Sequence, residues 1–151
     1  MAKYRFRLET LQRVREARRN EQRASLAEAY QAERVLTERQ ADLAAEVTAT
    51  RQLRQTATTG RYTDVNRLVE AQRYELLLRS QEQELNKQKI LLAAEIERRR
   101  QMLVEADREV RALELLDERH QQAFNLEQQR RETKTLDEIA TNRWQLKQVG
   151  K

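Results

Sequence analysis

Thr56-Ala57-Thr58-Thr59-Gly60-Arg61-Tyr62-Thr63-Asp64 is the one interior stretch that combines a glycine with β-branched and turn-forming residues. The chain has 151 residues, no proline and two glycines, where ordinary globular proteins carry about 5% Pro and 7% Gly. A long helix is therefore set to stop and reverse at about Gly60, and a second helix to begin after it. Thr63 or Asp64 offers a side-chain oxygen to cap that second helix, while Arg51 and Arg54 suit the negative end of the preceding helix dipole. The other glycine, Gly150, lies one residue from the end.

Outward from this break, strong helix formers dominate almost every stretch. Charged residues make up 36% of the chain against 38% hydrophobic and 5% aromatic, which favours long exposed helices over a core of normal size. A polar chain of this kind could instead be disordered, but 30 basic and 25 acidic residues leave a net charge of only +5. No apolar run approaches the roughly 20 residues needed to span a bilayer, and Met1-Ala2-Lys3-Tyr4-Arg5-Phe6-Arg7 lacks the apolar stretch of a secretory signal. A cytoplasmic protein is expected. Without cysteine, no disulfide can form.

The hairpin is tested by whether apolar positions on the two sides of the break match. Leu78, Leu85 and Leu92 recur every seven residues, as do Ile96, Leu103 and Val110, with Ala106 and Leu113 completing the alternating three–four pattern of a coiled-coil seam. Folding in the loop places opposite one another residues whose numbers sum to about 121, an antiparallel register for such a seam. It pairs Leu43 with Leu78, Leu36 with Leu85, Ala29 with Leu92, Leu11 with Val110, and Leu8 with Leu113. Around Ser25, Arg18 and Arg15 the first helix offers only small or charged residues to Ile96, Leu103 and Ala106, so looser packing is expected there. Acid-before-base pairs at four-residue spacing, Glu9–Arg13, Glu75–Arg79, Glu95–Arg99 and Asp107–Arg111, should each add about 0.2–0.5 kcal/mol on the outer faces.

The fold expected is all-α: a long antiparallel two-helix coiled-coil hairpin forming a single domain over 1–151, with helices at about 6–56 and 64–147 and a turn at about 57–63. At 1.5 Å per residue the helices would measure about 75 Å and about 125 Å, so the second overhangs the first. From about Leu116 the overhang has no partner within the hairpin, yet it holds Phe124, Leu126, Leu136, Ile139, Trp144 and Leu146. The seam is satisfied within one chain, which predicts a monomer.

Two adjacent helices offer no water-excluding concavity, so no catalytic residues, metal ligands or cofactor are expected. His120, the only histidine, falls on the seam and reads as a partly buried side chain. Asp117-Glu118 and Asp137-Glu138 read as solvated surface, and no Gly-rich phosphate loop exists. Charge is polarised: residues 1–23 hold eight basic and three acidic side chains, residues 24–129 sixteen and nineteen, and residues 130–151 six and three. Basic ends could serve nucleic acid, but Glu9, Glu16 and Glu21 interrupt the N-terminal run, and Arg98-Arg99-Arg100 points around three sides of a helix as a solvated band. A protein partner with an acidic surface explains the same charge.

Phe6-Arg7-Leu8-Glu9-Thr10-Leu11 followed by Val14-Arg15-Glu16, and Lys134-Thr135-Leu136-Asp137-Glu138-Ile139-Ala140 near the other end, resemble the flagellar export family FliJ. The resemblance covers essentially the whole chain. It implies a cytoplasmic, non-enzymatic stalk of the flagellar type III export apparatus, similar to the coiled coil of the ATP synthase gamma subunit and tied to flagellum assembly and chemotaxis. The end bearing the termini would insert into the hexameric export ATPase FliI and promote its activity. The hairpin tip would contact the export gate protein FlhA, leaving the protein peripheral at the inner face of the cell membrane, and export chaperones would be further partners.

On this reading Arg5, Arg7, Arg13, Arg15, Arg19, Arg130, Arg131, Lys134 and Arg143 are candidates for the ATPase contact, with Leu136, Ile139 and Trp144 as apolar anchors. Tyr62, Tyr74 and Leu78 are the candidates for the gate contact; the family pattern departs at Gln81 and Leu85, where a small residue and His would follow. A virulence secretion stalk of the YscO kind, a generic coiled-coil scaffold and a basic nucleic-acid-binding helical protein are the alternatives.

Overall fold

The computed structural model describes residues 3–59, Tyr62 and residues 64–149, without the side chains of Leu146, Lys147 and Val149. Two helices make up the fold: α1 over Glu9–Thr59, 51 residues, and α2 over Val65–Val149, 85 residues. They pack against each other in antiparallel fashion, as an all-α helical hairpin. Gly60, Arg61 and Thr63 of the expected turn, and Gly150, lie outside the described residues.

Asp64 starts α2 in the way its side chain allows. Its Oδ1 accepts from the Arg67 backbone N–H at 3.2 Å, and its carbonyl accepts from Leu68 N–H at 3.1 Å, an N-cap that satisfies donors the first turn leaves open. At the other side of the turn, Thr56, Thr58 and Thr59 each return their hydroxyl to a carbonyl three or four residues back. These bonds satisfy the threonine hydroxyls within the helix, and α1 continues to Thr59.

The chain divides into two compact units, Asn20–Val104 and Met1–Arg19 with Glu105–Lys151. In the first, Leu43, Leu78 and Leu85 form the core, with Leu36 and Val47 packed against it. Leu78, the most enclosed, is 1% exposed. Burial of a leucine is worth about 1.5–3 kcal/mol, so these few side chains carry much of the pairing. They are the pairs that a single register of the heptads brings together. Further from the turn, Arg99 Nη1 donates to the Ser25 carbonyl at 2.5 Å and Arg100 Nη2 to the Tyr30 hydroxyl at 2.7 Å. The arginine run is thus a solvated band only in part: Arg98 and Arg100 are exposed, while Arg99 and Arg100 also tie α2 to α1.

In the second unit the seam is apolar on α2 and largely polar on α1. Ala106 and Val110 are buried, while Leu11, expected opposite Val110, is exposed. Arg15 Nη1 reaches Glu109 at 2.9 Å and Arg19 Nε lies 3.9 Å from Asp107, so their aliphatic stems cross the seam while their heads meet carboxylates. Ile96 of the first unit is buried as well. Leu103 alone of the residues expected to pack loosely stays half-buried. The polar seam has a cost at Arg19, whose Nε is buried without a hydrogen-bond partner.

Three of the four expected i,i+4 ion pairs form: Glu9–Arg13, Glu75–Arg79 and Glu95–Arg99. The fourth does not. Arg111 turns to Glu114 at 3.1 Å and Glu118 at 3.5 Å, and Asp107 faces α1.

The start of the chain corrects the expected overhang. Lys3–Phe6 is not helical, and it continues along α2: the Tyr4 hydroxyl donates to Asp117 Oδ1 at 2.6 Å, and the Tyr4 ring lies 5.6 Å from Phe124. Phe6 is buried and its ring lies 6.0 Å from His120, which is itself exposed and not the partly buried seam residue expected. An extended residue advances about 3.3 Å against 1.5 Å in a helix, so the step from Phe6 to Tyr4 matches four residues of α2. The unpartnered part of α2 thus starts beyond Phe124 and not at Leu116.

Candidate partner-binding surfaces

Near the turn the structure offers a concavity that side-by-side helices were not expected to provide. A cleft of about 700 Å³ is lined by residues of both helices, among them Thr50, Leu53, Ala57, Ala71 and the two tyrosines Tyr62 and Tyr74. Small residues create it: Ala49, Ala57 and Ala71 leave the helices' facing surfaces unfilled. Tyr62 is 90% exposed and Tyr74 44% exposed. Tyr74 is nevertheless oriented, because its hydroxyl donates to Glu46 Oε2 at 3.1 Å, and the carboxylate so close raises its pKa.

Leu78 does not share this surface. Sealed between Leu43 and Leu85, it cannot be offered to a partner while the hairpin is closed, and its place among the gate candidates is corrected to that of a core residue. The heptad position already implied this: a residue on the seam cannot also be on the surface.

Beneath Tyr74 in sequence, Glu75 is buried and receives arginines from both helices. Arg51 and Arg54 therefore serve this carboxylate and not the α1 terminus; no basic residue lies in the last turn of α1. Sequence reading had the Glu75–Arg79 pair but not its cross-helix members. The register sets Glu75 opposite Glu46, five residues from Arg51 and eight from Arg54, so only the length of the guanidinium side chains brings them to it.

The cationic candidates divide by what they touch. Arg13 pairs with Glu9, Arg131 with Glu127, Arg15 with Glu109, and Arg19 with Asp107. Arg15 and Arg19 are thus spent inside the hairpin. Among the described residues no ion pair engages Arg5, Arg7, Arg130, Lys134 or Arg143, and all five are exposed.

The far part of α2 carries apolar side chains in water. Leu126, Leu136, Ile139 and Trp144 are all exposed, Leu136 at 66% and Trp144 at 62%. Leu136, Ile139 and Trp144 lie within one broad face at helical spacing, while Arg130, Arg131 and Lys134 occupy the opposite side. The Leu146 side chain lies outside the described residues.

Tyr4 and Phe6 were missed as contact-forming residues. The Tyr4 phenol is pushed up to about 12 by desolvation and by its hydrogen bond to Asp117, and so stays a donor. Two aromatics at alternate positions before a helix start were the signal, since an extended strap can lay both on one side. Asp117, expected as solvated surface, is the strap's anchor.

No group of acidic, histidine or cysteine side chains suited to a metal occurs among the described residues, and no helix among them is long and apolar enough to cross a membrane. Compared with known proteins, residues 4–148 match the model of one family, described as Flagellar FliJ protein. Neither the curated proteins nor the solved structures give a match.

Proposed function

The chain belongs to the flagellar FliJ family, which makes it a flagellar export-related component, and from that premise we propose that it is a non-catalytic stalk and escort of the type III export apparatus. The end bearing the termini engages the hexameric export ATPase FliI and promotes its activity. Tyr62 and Tyr74 face the export gate protein FlhA, which holds the protein peripherally at the inner face of the cell membrane, and export chaperones are carried in passing.

One observation supports the ATPase contact above the others: α2 beyond Phe124 keeps Leu126, Leu136, Ile139 and Trp144 exposed, on a helix where, among the described residues, no ion pair engages Arg130, Lys134 or Arg143. A tryptophan and aliphatic side chains exposed on one helix face, with arginines on the same helix, have the composition of an interface centre. Exposed ion pairs contribute only about 0–1 kcal/mol each, which suits a contact exchanged during ATP turnover.

Truncation after Glu127 should leave the helical hairpin intact and abolish stimulation of ATP hydrolysis by purified FliI. Full stimulation by the truncated chain would remove the ATPase contact from this segment. Charge reversal belongs at Arg130 and Lys134, which are free, and not at Arg15, where a glutamate would face Glu109 and disturb the hairpin itself.

A further inference from the structure

Three guanidinium groups converge on one buried carboxylate in the unit 20–104. Glu75, its side chain 7% exposed, has Arg79 Nη2 at 2.8 Å and Arg51 Nε at 4.0 Å from Oε1, and Arg54 Nη1 at 3.0 Å from Oε2. One negative charge stands against three positive ones. Donor counting gives the same excess: each guanidinium has five N–H donors, so about fifteen face the roughly four acceptor sites of a carboxylate. Arg51 at 4.0 Å makes no hydrogen bond to Glu75 at all. All three arginine side chains are about half exposed, so the surplus faces water and not the core.

Glu75 is thus too little to neutralise the arginines but enough to fix their heads. An anion arriving there finds a cationic site whose side chains are already partly ordered. We infer that Arg51, Arg54 and Arg79, held by Glu75, form a docking site for a short acidic peptide segment of a partner protein, whose carboxylates take the donors Glu75 leaves open. The surroundings select this anion over a nucleic acid. The neighbouring cleft wall carries Glu46, Asp64 and Glu70 against Arg67 alone, which repels a continuous polyanion. Leu53, exposed between Arg51 and Arg54 in sequence, lines that same cleft and suits a peptide that is acidic at one point and apolar beside it. This goes beyond the gate-facing assignment, since it involves neither tyrosine.

The test is fluorescence anisotropy of a labelled short peptide, two adjacent glutamates followed by leucines, titrated with the full-length chain at low salt, with unlabelled oligo-dT as competitor. The peptide should bind, less tightly as salt rises. Arg51→Ala should weaken binding roughly two- to fivefold, as expected for a half-exposed charge pair. Glu75→Gln, which raises the surplus from about two charges to about three, should tighten it by a similar factor. Arg51→Ala leaves both close contacts of Glu75 in place, so it decides the matter even if Glu75→Gln perturbs the fold, and circular dichroism checks helix content in each. Unchanged binding by Arg51→Ala would overturn the inference. So would binding lost only on Arg5→Glu with Arg7→Glu, which would put the peptide at the termini, or displacement by oligo-dT that depends on Arg51, which would make the ligand a nucleic acid.

Discussion

Two stretches of α2 are equally rich in charge and have opposite fates. Between Leu78 and Val110, residues at heptad spacing are buried against α1; between Leu126 and Trp144, leucine, isoleucine and tryptophan stand in water on an equally continuous helix. Helicity is common to both and so cannot report packing. It follows from side chains that lose little rotamer freedom in a helix and from local pairs such as Arg131–Glu127, which need no second helix. Burial depends on what lies opposite, and among the described residues the N-terminal strap contacts α2 as far as Phe124.

The largest effect that could break this comparison is on stability. Leu78→Ala should cost about 2–5 kcal/mol and Leu136→Ala no more than about 0.5 kcal/mol, measured by urea denaturation followed at 222 nm. Equal costs would mean that the far part of α2 has a partner within the chain after all.

A smaller effect tests how far the strap extends the pairing. Phe6→Ala should destabilise by about 2 kcal/mol, below the 3–5 kcal/mol of a fully packed phenylalanine because a chain end can fray. Hydrogen exchange should then rise in the stretch around His120 and Phe124 and not around Leu85. If protection near His120 is unaltered, the strap adds contacts without adding order.

The smallest effect is electrostatic and centres on the half-buried Glu95 of α2. Hydrogen bonds from Arg98 and Arg99 hold the Glu95 carboxylate at about 2, down from 4.5. A carboxylate with a lowered folded-state pKa stabilises the protein above its ordinary pKa, and that contribution is lost as pH falls from about 4.5 through 2. Glu95→Gln should therefore flatten the decline of melting temperature with acid in that window, leaving neutral-pH stability only slightly lower. An unchanged acid profile would show that Glu95 gains nothing from its arginines on folding.

Much of this fold could be read from residues. Thr56–Asp64 marked the reversal, and the heptads of Leu78, Leu85 and Leu92 fixed the face of α2, because a break in helix propensity and a hydrophobic period are local properties. The pairing of Leu43 and Leu36 with that face followed from requiring one register for the whole hairpin. The candidate surfaces were less legible. Tyr74 could be placed near the turn, but the cleft beside it takes its lining from both helices, Ala49 and Ala57 of α1 and Ala71 of α2 among it. Leu78 was offered as a gate contact although its heptad position had already committed it to the core.

What the sequence determined by itself was two long helices, where they break, and which stripe of each is apolar. Tertiary structure alone decided which charges are spent and which are free. Arg15, Arg19, Arg99 and Arg100 close the hairpin through acids, a carbonyl and a hydroxyl of the other helix, while Arg5, Arg7, Arg130, Lys134 and Arg143 do not. An arginine reaches a full turn in either direction along its neighbour, so its partner is chosen by the geometry between helices and not by its own place in the chain.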